Sequence, residues 1–219
     1  MEALLSFGAA LVSLRLAGAL AARWRDSRRP ELAAWAASLG AYALAAAALA
    51  WGAAHGWDTR AFRAYYLFGG LLTAPLLGAG SLLFTGRRWA GPLALAYTGL
   101  AVGIAAAVPV HGAFVGNGIP KAQAHLDLLP ARLVAIAGNA TGTLAVVAVA
   151  LLTIRRRPLG NALVLAGVGL AALGSALAGL GEAGTSAFVA AASLLLYLGF
   201  VWRAPAQNVA QESTRFVTD

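Results

Sequence analysis

The chain contains no cysteine and few charged residues. Without thiols it has no disulfide bonds, no thiolate metal ligands and no cysteine nucleophile. Charged residues make up 11% of its 219 residues, whereas a soluble domain typically has about 25%. So few charges could not cover the surface of a soluble protein of this length. The composition therefore predicts an integral membrane protein.

Lysine is nearly absent, since Lys121 is the only one and the other basic residues are arginine. A retinal Schiff base requires a lysine within a helix, and Lys121 lies in a loop, so a retinal protein is excluded. The net charge of +8 does not indicate a nucleic-acid partner, because the basic residues lie at helix ends and no basic segment is interleaved with aromatic residues. The many Ala, Gly and Arg residues are typical of a GC-rich bacterial genome.

Long apolar stretches alternate with short polar segments along the chain. Each stretch is close to the roughly 20 residues that cross a bilayer, and a chain in lipid must pair its own backbone groups, which favours helices. The sequence therefore predicts an all-α, seven-transmembrane-helix bundle over residues 1–204 and a polar cytoplasmic tail over residues 205–219. The predicted spans are 3–22, 32–54, 62–84, 91–114, 131–154, 159–181 and 184–202.

The basic residues are distributed unevenly between the two sides of this bundle. The segments 23–30, 85–90 and 155–158 and the C-terminal tail together carry eleven of them, and the opposite side carries four. Cytoplasmic loops are the ones enriched in arginine and lysine. We therefore expect the N-terminus outside and the C-terminus in the cytoplasm of a multi-pass cell-membrane protein, in a bacterial inner membrane. The four on the outer side are Arg60, Arg63, Lys121 and Arg132.

The stretch from Phe62 to Leu72, Phe-Arg-Ala-Tyr-Tyr-Leu-Phe-Gly-Gly-Leu-Leu, and the pair Gly160-Asn161 at the start of the sixth span resemble a family of seven-span membrane proteins from high-GC bacteria. No activity is established for that family. The resemblance implies the seven-helix fold and adds no mechanism.

Glycine, proline and loop composition give further expectations. Small residues let membrane helices approach closely, so the Gly-xxx-Gly pairs at 99 and 103 and at 138 and 142 predict close helix packing rather than a dimer face.

Pro75 and Pro109 should each kink a span by removing a hydrogen bond. The hydroxyls of Thr73 and Ser81 could help to satisfy the backbone groups of the third span. The long loop 115–130 is either a short helix on the membrane surface, between Pro120 and Pro130, or an irregular loop.

The outer side also carries the candidate ligand-binding residues. Arginine binds carboxylate or phosphate through its planar fork of donors. We expect Arg63 to turn inward and to pair with an anionic ligand or with Asp58, Asp127 or Glu182. Polar residues inside a span are functional candidates as well. The candidate residues are Arg63, Arg60, Arg132, Tyr66, His111, Asn139 and Glu182.

No catalytic residue, metal site or cofactor is predicted. The three histidines have neither the i, i+4 spacing nor the HExxH motif of common zinc sites. The leading hypothesis is that the protein binds or transports a small anionic or lipidic molecule at an outward-facing vestibule. The alternatives are a membrane-embedded enzyme that uses outer histidines and carboxylates, and an accessory or receptor subunit with a membrane-protein partner. Membrane lipids are expected partners in each case.

Overall fold

A computed structural model describes residues 2–116, 118–155 and 158–180, together with residues 188, 191, 192, 194–196, 198 and 199. Within these residues all regular structure is helical, so the all-α prediction is confirmed for this part of the chain. The elements are α1 (Glu2–Ser27), α2 (Pro30–His55), α3 (Thr59–Tyr65), the π-helical turn π1 (Tyr66–Leu72), α4 (Thr73–Phe84), α5 (Ala90–Ala107), α6 (Ala122–His125), the kinked turn Leu128–Arg132, α7 (Leu133–Thr153) and α8 (Pro158–Leu180).

Five helices in this part of the chain are long and apolar enough to cross a membrane. The longest have 26 residues, or about 39 Å at 1.5 Å per residue, against a hydrocarbon core of about 30 Å. These dimensions fit a helical membrane protein. Within α8, Pro158–Ala171 is a shorter apolar segment. Most of the predicted seventh span (184–202) and the tail lie outside the described residues, so the count of seven remains a prediction. The five spans are Ala3–Ser27, Pro30–His55, Thr59–Phe84, Ala90–Ala107 and Leu128–Thr153.

Short connections make the helices run alternately up and down, which gives the bundle two distinct ends. The rings of Trp35 and Phe84 are 5.7 Å apart, so the start of α2 lies beside the end of α4. We call this the arginine end (residues 23–31, 85–89 and 154–155). The rings of Phe62 and Phe114 are 5.4 Å apart, so α3 starts beside the chain that follows α5. We call this the loop end (residues 56–63, 108–116 and 118–132).

The helices pack in sequence around α2 and α4. Helix α2 lies between α1 and α4, α4 lies between α2 and α7, and α8 lies against α7. Helix α5 contacts α4 and π1 and exposes most of its surface. Since lipid covers apolar side chains in a membrane, α5 is the peripheral helix among those that the structure describes.

Glycine brings α4 and α7 into backbone contact. A Cβ atom on Gly78 would lie 2.7 Å from the Cα atom of Gly142, and one on Gly142 would lie 2.7 Å from the nitrogen of Pro75. Close packing is therefore confirmed for the pair at 138 and 142. For Gly99 and Gly103 it is wrong within the described structure, because no atom lies within 4 Å of an added Cβ. The backbone of α4 lies against Gly142, whereas no described neighbour lies against Gly99 or Gly103.

The fourth span is shorter than predicted. We expected it to continue to residue 114, but α5 ends at Ala107 and Val108 is extended, because a residue before proline disfavours the helical conformation. Pro109 therefore ends the helix rather than kinking it. Between Pro120 and Pro130 the described residues form the four-residue α6 and the start of the turn Leu128–Arg132, and Leu126 is buried whereas Leu129 is exposed. Of the two alternatives for this loop, the irregular one is therefore the better description.

The glycine contact predicts a large difference between two equivalent substitutions. Gly142→Ala should lower the free energy of unfolding by about 1–3 kcal/mol, because its Cβ meets backbone atoms of α4 that cannot move aside. Gly99→Ala should be neutral or stabilising, because the space is open and alanine favours helix by up to about 1 kcal/mol. Thermal unfolding of both variants in detergent checks this. Equal loss in both would contradict the packing described.

Candidate functional site

The third span contains one wide helical turn before its proline. The π pairing joins an N–H to the carbonyl five residues earlier, as the N–H of Thr73 donates to Phe68. The carbonyl of Gly70 should then pair with residue 75, but Pro75 has no N–H. The side-chain amide of Asn139 donates to that carbonyl instead, at 2.6 Å. The Thr73 hydroxyl donates to the Phe68 carbonyl, at 2.7 Å, which also accepts the N–H of Thr73; Thr73 thus adds a hydrogen bond to the third span but does not pair a carbonyl that the proline frees.

Arg63 supplies donors to the end of α5. Its guanidinium donates to the backbone carbonyls of Ala105, Ala106 and Val108, with distances of 3.3 Å to Ala106 and 2.9 Å to Val108. The helical partner of the Ala105 carbonyl would be the nitrogen of Pro109, which has no hydrogen. A cation at a helix C-terminus also interacts favourably with the helix dipole. Arg63 thus compensates for the proline that ends α5.

An aromatic cluster closes the loop end above Arg63. Phe62 is fully buried, and its ring lies 5.4 Å from that of Phe114 and 5.3 Å from that of His125. The rings of Phe114 and His125 are 4.4 Å apart. Because aromatic pairs in such offset arrangements contribute about 0.5–1.5 kcal/mol beyond burial, this cluster holds the long loop on α3.

Two histidines tie the loop to itself. The N–H of His111 donates to the His125 carbonyl at 2.9 Å, and Nδ1 of His125 lies 2.8 Å from the His111 carbonyl, which requires the Nδ1–H tautomer. Nε2 of His111 also lies 3.4 Å from a carboxylate oxygen of Asp127, with both side chains exposed. The exposed pair contributes little to stability, so the backbone pairing is the stronger link.

These elements enclose a small pocket between α3, π1 and the end of α5. It leaves about 10 Å³ for the centre of a water molecule, which is about the room for one water. Most of its wall is apolar, and Arg63 and Tyr66 supply the polar side chains. Its remaining lining residues are Phe62, Ile104, Ala105, Val108, Val110, Leu126 and Ala131.

Two further arginines lie near the pocket without lining it. Arg132 is half-buried at the start of α7, and its charge acts on the hydroxyl of Tyr66. Arg60 is exposed one turn before Arg63. Among the described residues, the acids proposed as partners of Arg63 bind elsewhere, because Asp58 accepts from the N–H of Ala61 at 2.7 Å and Asp127 lies against His111.

The predicted site residues are therefore only partly brought together. Arg63 and Tyr66 meet in the pocket and Arg132 lies next to them, whereas Arg60 and His111 are exposed around it. Asn139 does not line the pocket and bonds to the carbonyls of Gly70 and Ala135. Glu182 lies outside the described residues. Arg63 turns inward as expected, but its protein partners are carbonyls rather than carboxylates.

The sequence reasoning missed the end of α5 as a partner. Backbone carbonyls are the same at every residue and give no signal of their own. The usable signal was Pro109, since a helix that ends before a proline has carbonyls in need of donors, and Arg63 begins the neighbouring span. The aromatic cluster of Phe62, Phe114 and His125 was missed as well, because its members are far apart in sequence.

No three His, Cys, Asp or Glu side chains converge as metal ligands in the part of the chain that the structure describes. No family model, curated protein or solved structure matches this chain. The resemblance of the third span to a seven-span family therefore stays a prediction.

Loss of the Arg63 side chain should weaken the loop end. Arg63→Met keeps much of the apolar stem but removes three hydrogen bonds from a charged donor, and we expect a loss of about 2 kcal/mol in the free energy of unfolding. Arg60→Met is the matched control, since an exposed side chain of this kind should change stability by less than about 0.5 kcal/mol. Thermal unfolding in detergent measures both. An unchanged Arg63→Met variant would show that these bonds do not stabilise the protein.

Proposed function

We propose that this membrane protein binds a small anionic amphiphile, a fatty-acid carboxylate or the headgroup of an anionic phospholipid, at the pocket of the loop end. The observation that carries the proposal is the lining itself. A guanidinium and a phenol project into a pocket whose other walls are apolar. Binding sites of this kind combine an apolar surface with a few polar groups that orient the ligand.

Arg63 retains donors for such a ligand. A guanidinium has five N–H donors, and three bonds to described carbonyls leave two of them. Arg132 follows Ala131, which lines the pocket, and adds a second positive charge at this end of the bundle. Because charge-assisted hydrogen bonds are roughly twice as strong as neutral ones, these two arginines together favour an anion over a neutral headgroup.

The size of the pocket limits what enters it. Room for about one water admits an oxygen of a carboxylate or phosphate but not an acyl chain. The pocket lies at the end of α5, and this helix exposes large apolar side chains along its length. We propose that the acyl chain lies on that surface while the head reaches the arginines. The exposed residues on α5 include Leu93, Leu95, Leu100 and Val102.

Binding is a better proposal than transport. Transport of an anion needs a polar path through the bundle, but several polar side chains in the described spans bond to backbone carbonyls, and the buried hydroxyls without a partner, those of Ser6 and Ser13, both lie on α1. Ser38 donates to Thr73 at 2.7 Å, Ser81 to Leu77 at 3.0 Å and Thr98 to Ala94 at 2.7 Å. Asn139 does the same. These groups stabilise helices and leave little for a moving ion.

We propose further that the arginine end faces the cytoplasm and that residues 184–202 form a seventh span. Seven arginines of the described chain lie at the arginine end, against the four basic residues at or beside the loop end. By the positive-inside rule the loop end with its pocket is then outside. The seven are Arg23, Arg25, Arg28, Arg29, Arg87, Arg88 and Arg155.

The absence of cysteine makes this topology easy to test. Val115→Cys at the loop end, where Val115 is 91% exposed, should react with a membrane-impermeant thiol reagent in intact cells. Thr85→Cys at the arginine end should react only after permeabilisation. A reporter active only in the cytoplasm should be active after Asp219, because seven spans return the chain to that side. The opposite labelling pattern would contradict the orientation, and an inactive reporter would contradict the seventh span.

Anion binding should appear as ligand-dependent stability. Oleate and phosphatidylglycerol should raise the unfolding temperature of the full chain in neutral detergent, since a ligand present at 100 times its Kd stabilises by about 2.7 kcal/mol. Phosphatidylcholine and inorganic phosphate should not, because one lacks net charge and the other lacks a chain. A response to oleate alone assigns the carboxylate, and a response to phosphatidylglycerol alone assigns the phospholipid.

A matched pair of arginine variants locates that binding. Arg132→Gln should abolish the temperature rise, whereas Arg88→Gln, exposed at the arginine end, should keep it. If every lipid stabilises both variants equally, the effect is general solvation by lipid and the proposed site is wrong.

A further inference from the structure

We infer that Asn139 sets the helical register of the third span and thereby positions Arg63 and Tyr66 at the pocket. Asn139 is thus a positioning residue rather than a contact for a ligand. The inference rests on the proposed function only where it concerns binding, because the register itself is a property of the fold.

The argument begins with the two ways in which residues 66–75 can pair. In an α-helix the carbonyl of Gly70 accepts from the N–H of residue 74. In the π pairing of π1 its partner would be residue 75, which is proline. Pro75 therefore leaves one carbonyl without a backbone donor in either register: that of Gly70 where the π pairing continues, and that of Leu71, four residues before the proline, in an α-helix.

Asn139 supplies a donor to the carbonyl that the π register leaves without one, and not to the carbonyl that the α register would leave. Its Nδ2 donates to the Gly70 carbonyl at 2.6 Å and to the Ala135 carbonyl of its own helix at 2.9 Å. In an apolar surrounding an unpaired carbonyl costs several kcal/mol. The amide of Asn139 offsets that cost and so favours π1 over a regular α-helix.

The register decides where the first half of the span points. A π turn holds one residue more than an α turn. If π1 changed to α pairing, the residues before it would rotate by about 100° relative to α4. Helix α4 cannot rotate in response, because Gly78 contacts Gly142 and Ser38 donates to the Thr73 carbonyl at 2.7 Å. The rotation would therefore carry Arg63 away from the end of α5 and Tyr66 out of the pocket.

A cysteine pair reports this register directly in the full chain. A Cβ atom on Gly69, inside π1, would lie 3.1 Å from the Cβ atom of Ala45, close to the separation of about 3.5–4.5 Å in a disulfide. Gly69→Cys with Ala45→Cys should cross-link readily under mild oxidation. In the Asn139→Leu background the rate should fall by about threefold to tenfold, the effect of losing one hydrogen bond.

Two controls separate positioning from a general loss of structure. Thr141 lies on the same helix and bonds only to carbonyls of that helix, at 2.7 Å to Ala137 and 3.2 Å to Gly138, so Thr141→Val should leave the rate unchanged. Ala10→Cys with Ala46→Cys joins α1 to α2 through one apolar cluster. That pair should cross-link equally with and without Asn139.

Each outcome decides the inference. A selective fall at the pair in π1, with loss of the stabilisation by oleate or phosphatidylglycerol, supports it. An unchanged rate in Asn139→Leu overturns it, and so does an equal fall at both cysteine pairs, which would assign Asn139 to general stability. Stabilisation by lipid that persists after the register is lost overturns the link to the pocket. If the parent chain shows no stabilisation by lipid, the proposed function fails while the cross-linking still decides the register.

Discussion

The structure depends on the need to pair backbone carbonyls that proline leaves without a donor. Pro75 withholds an N–H from the third span, and Pro109 withholds one from the end of α5. Asn139 donates to a carbonyl of the third span, and Arg63 donates to carbonyls at the end of α5. In lipid no water can take these roles. Two polar side chains that would otherwise be costly in a bundle are therefore retained to satisfy two interrupted helices.

These two pairings connect elements that are distant in sequence. Asn139 joins α7 to the third span, where glycines already bring α4 and α7 into contact. Arg63 joins the third span to α5, the least packed of the five long helices. Since apolar surfaces in lipid gain little from contacting each other rather than acyl chains, such polar links and close glycine contacts are what define the arrangement of the helices.

The pocket is a consequence of the same arrangement. It forms where α5 stops early and the loop folds back. Phe62 lines it, and the rings of Phe114 and His125 pack on Phe62. Arg63 lies in its wall because the carbonyls that it binds are there. A group that is held for a structural reason and still has donors to spare is well placed to bind an anion, which is how the structural and the proposed functional roles of this arginine combine.

The sequence alone determined the helical class, the approximate extent of the described spans and the uneven distribution of arginine, because apolar length and loop charge are local properties. It also singled out Arg63, Tyr66 and Asn139 as unusual polar residues. It did not determine what they bind. Gly99 and Gly142 have the same sequence motif, yet one faces open space and the other a neighbouring backbone. These cases needed the folded structure. The partner of a side chain in a bundle depends on which helix lies opposite and in what register, and a backbone carbonyl is the same chemical group at every residue.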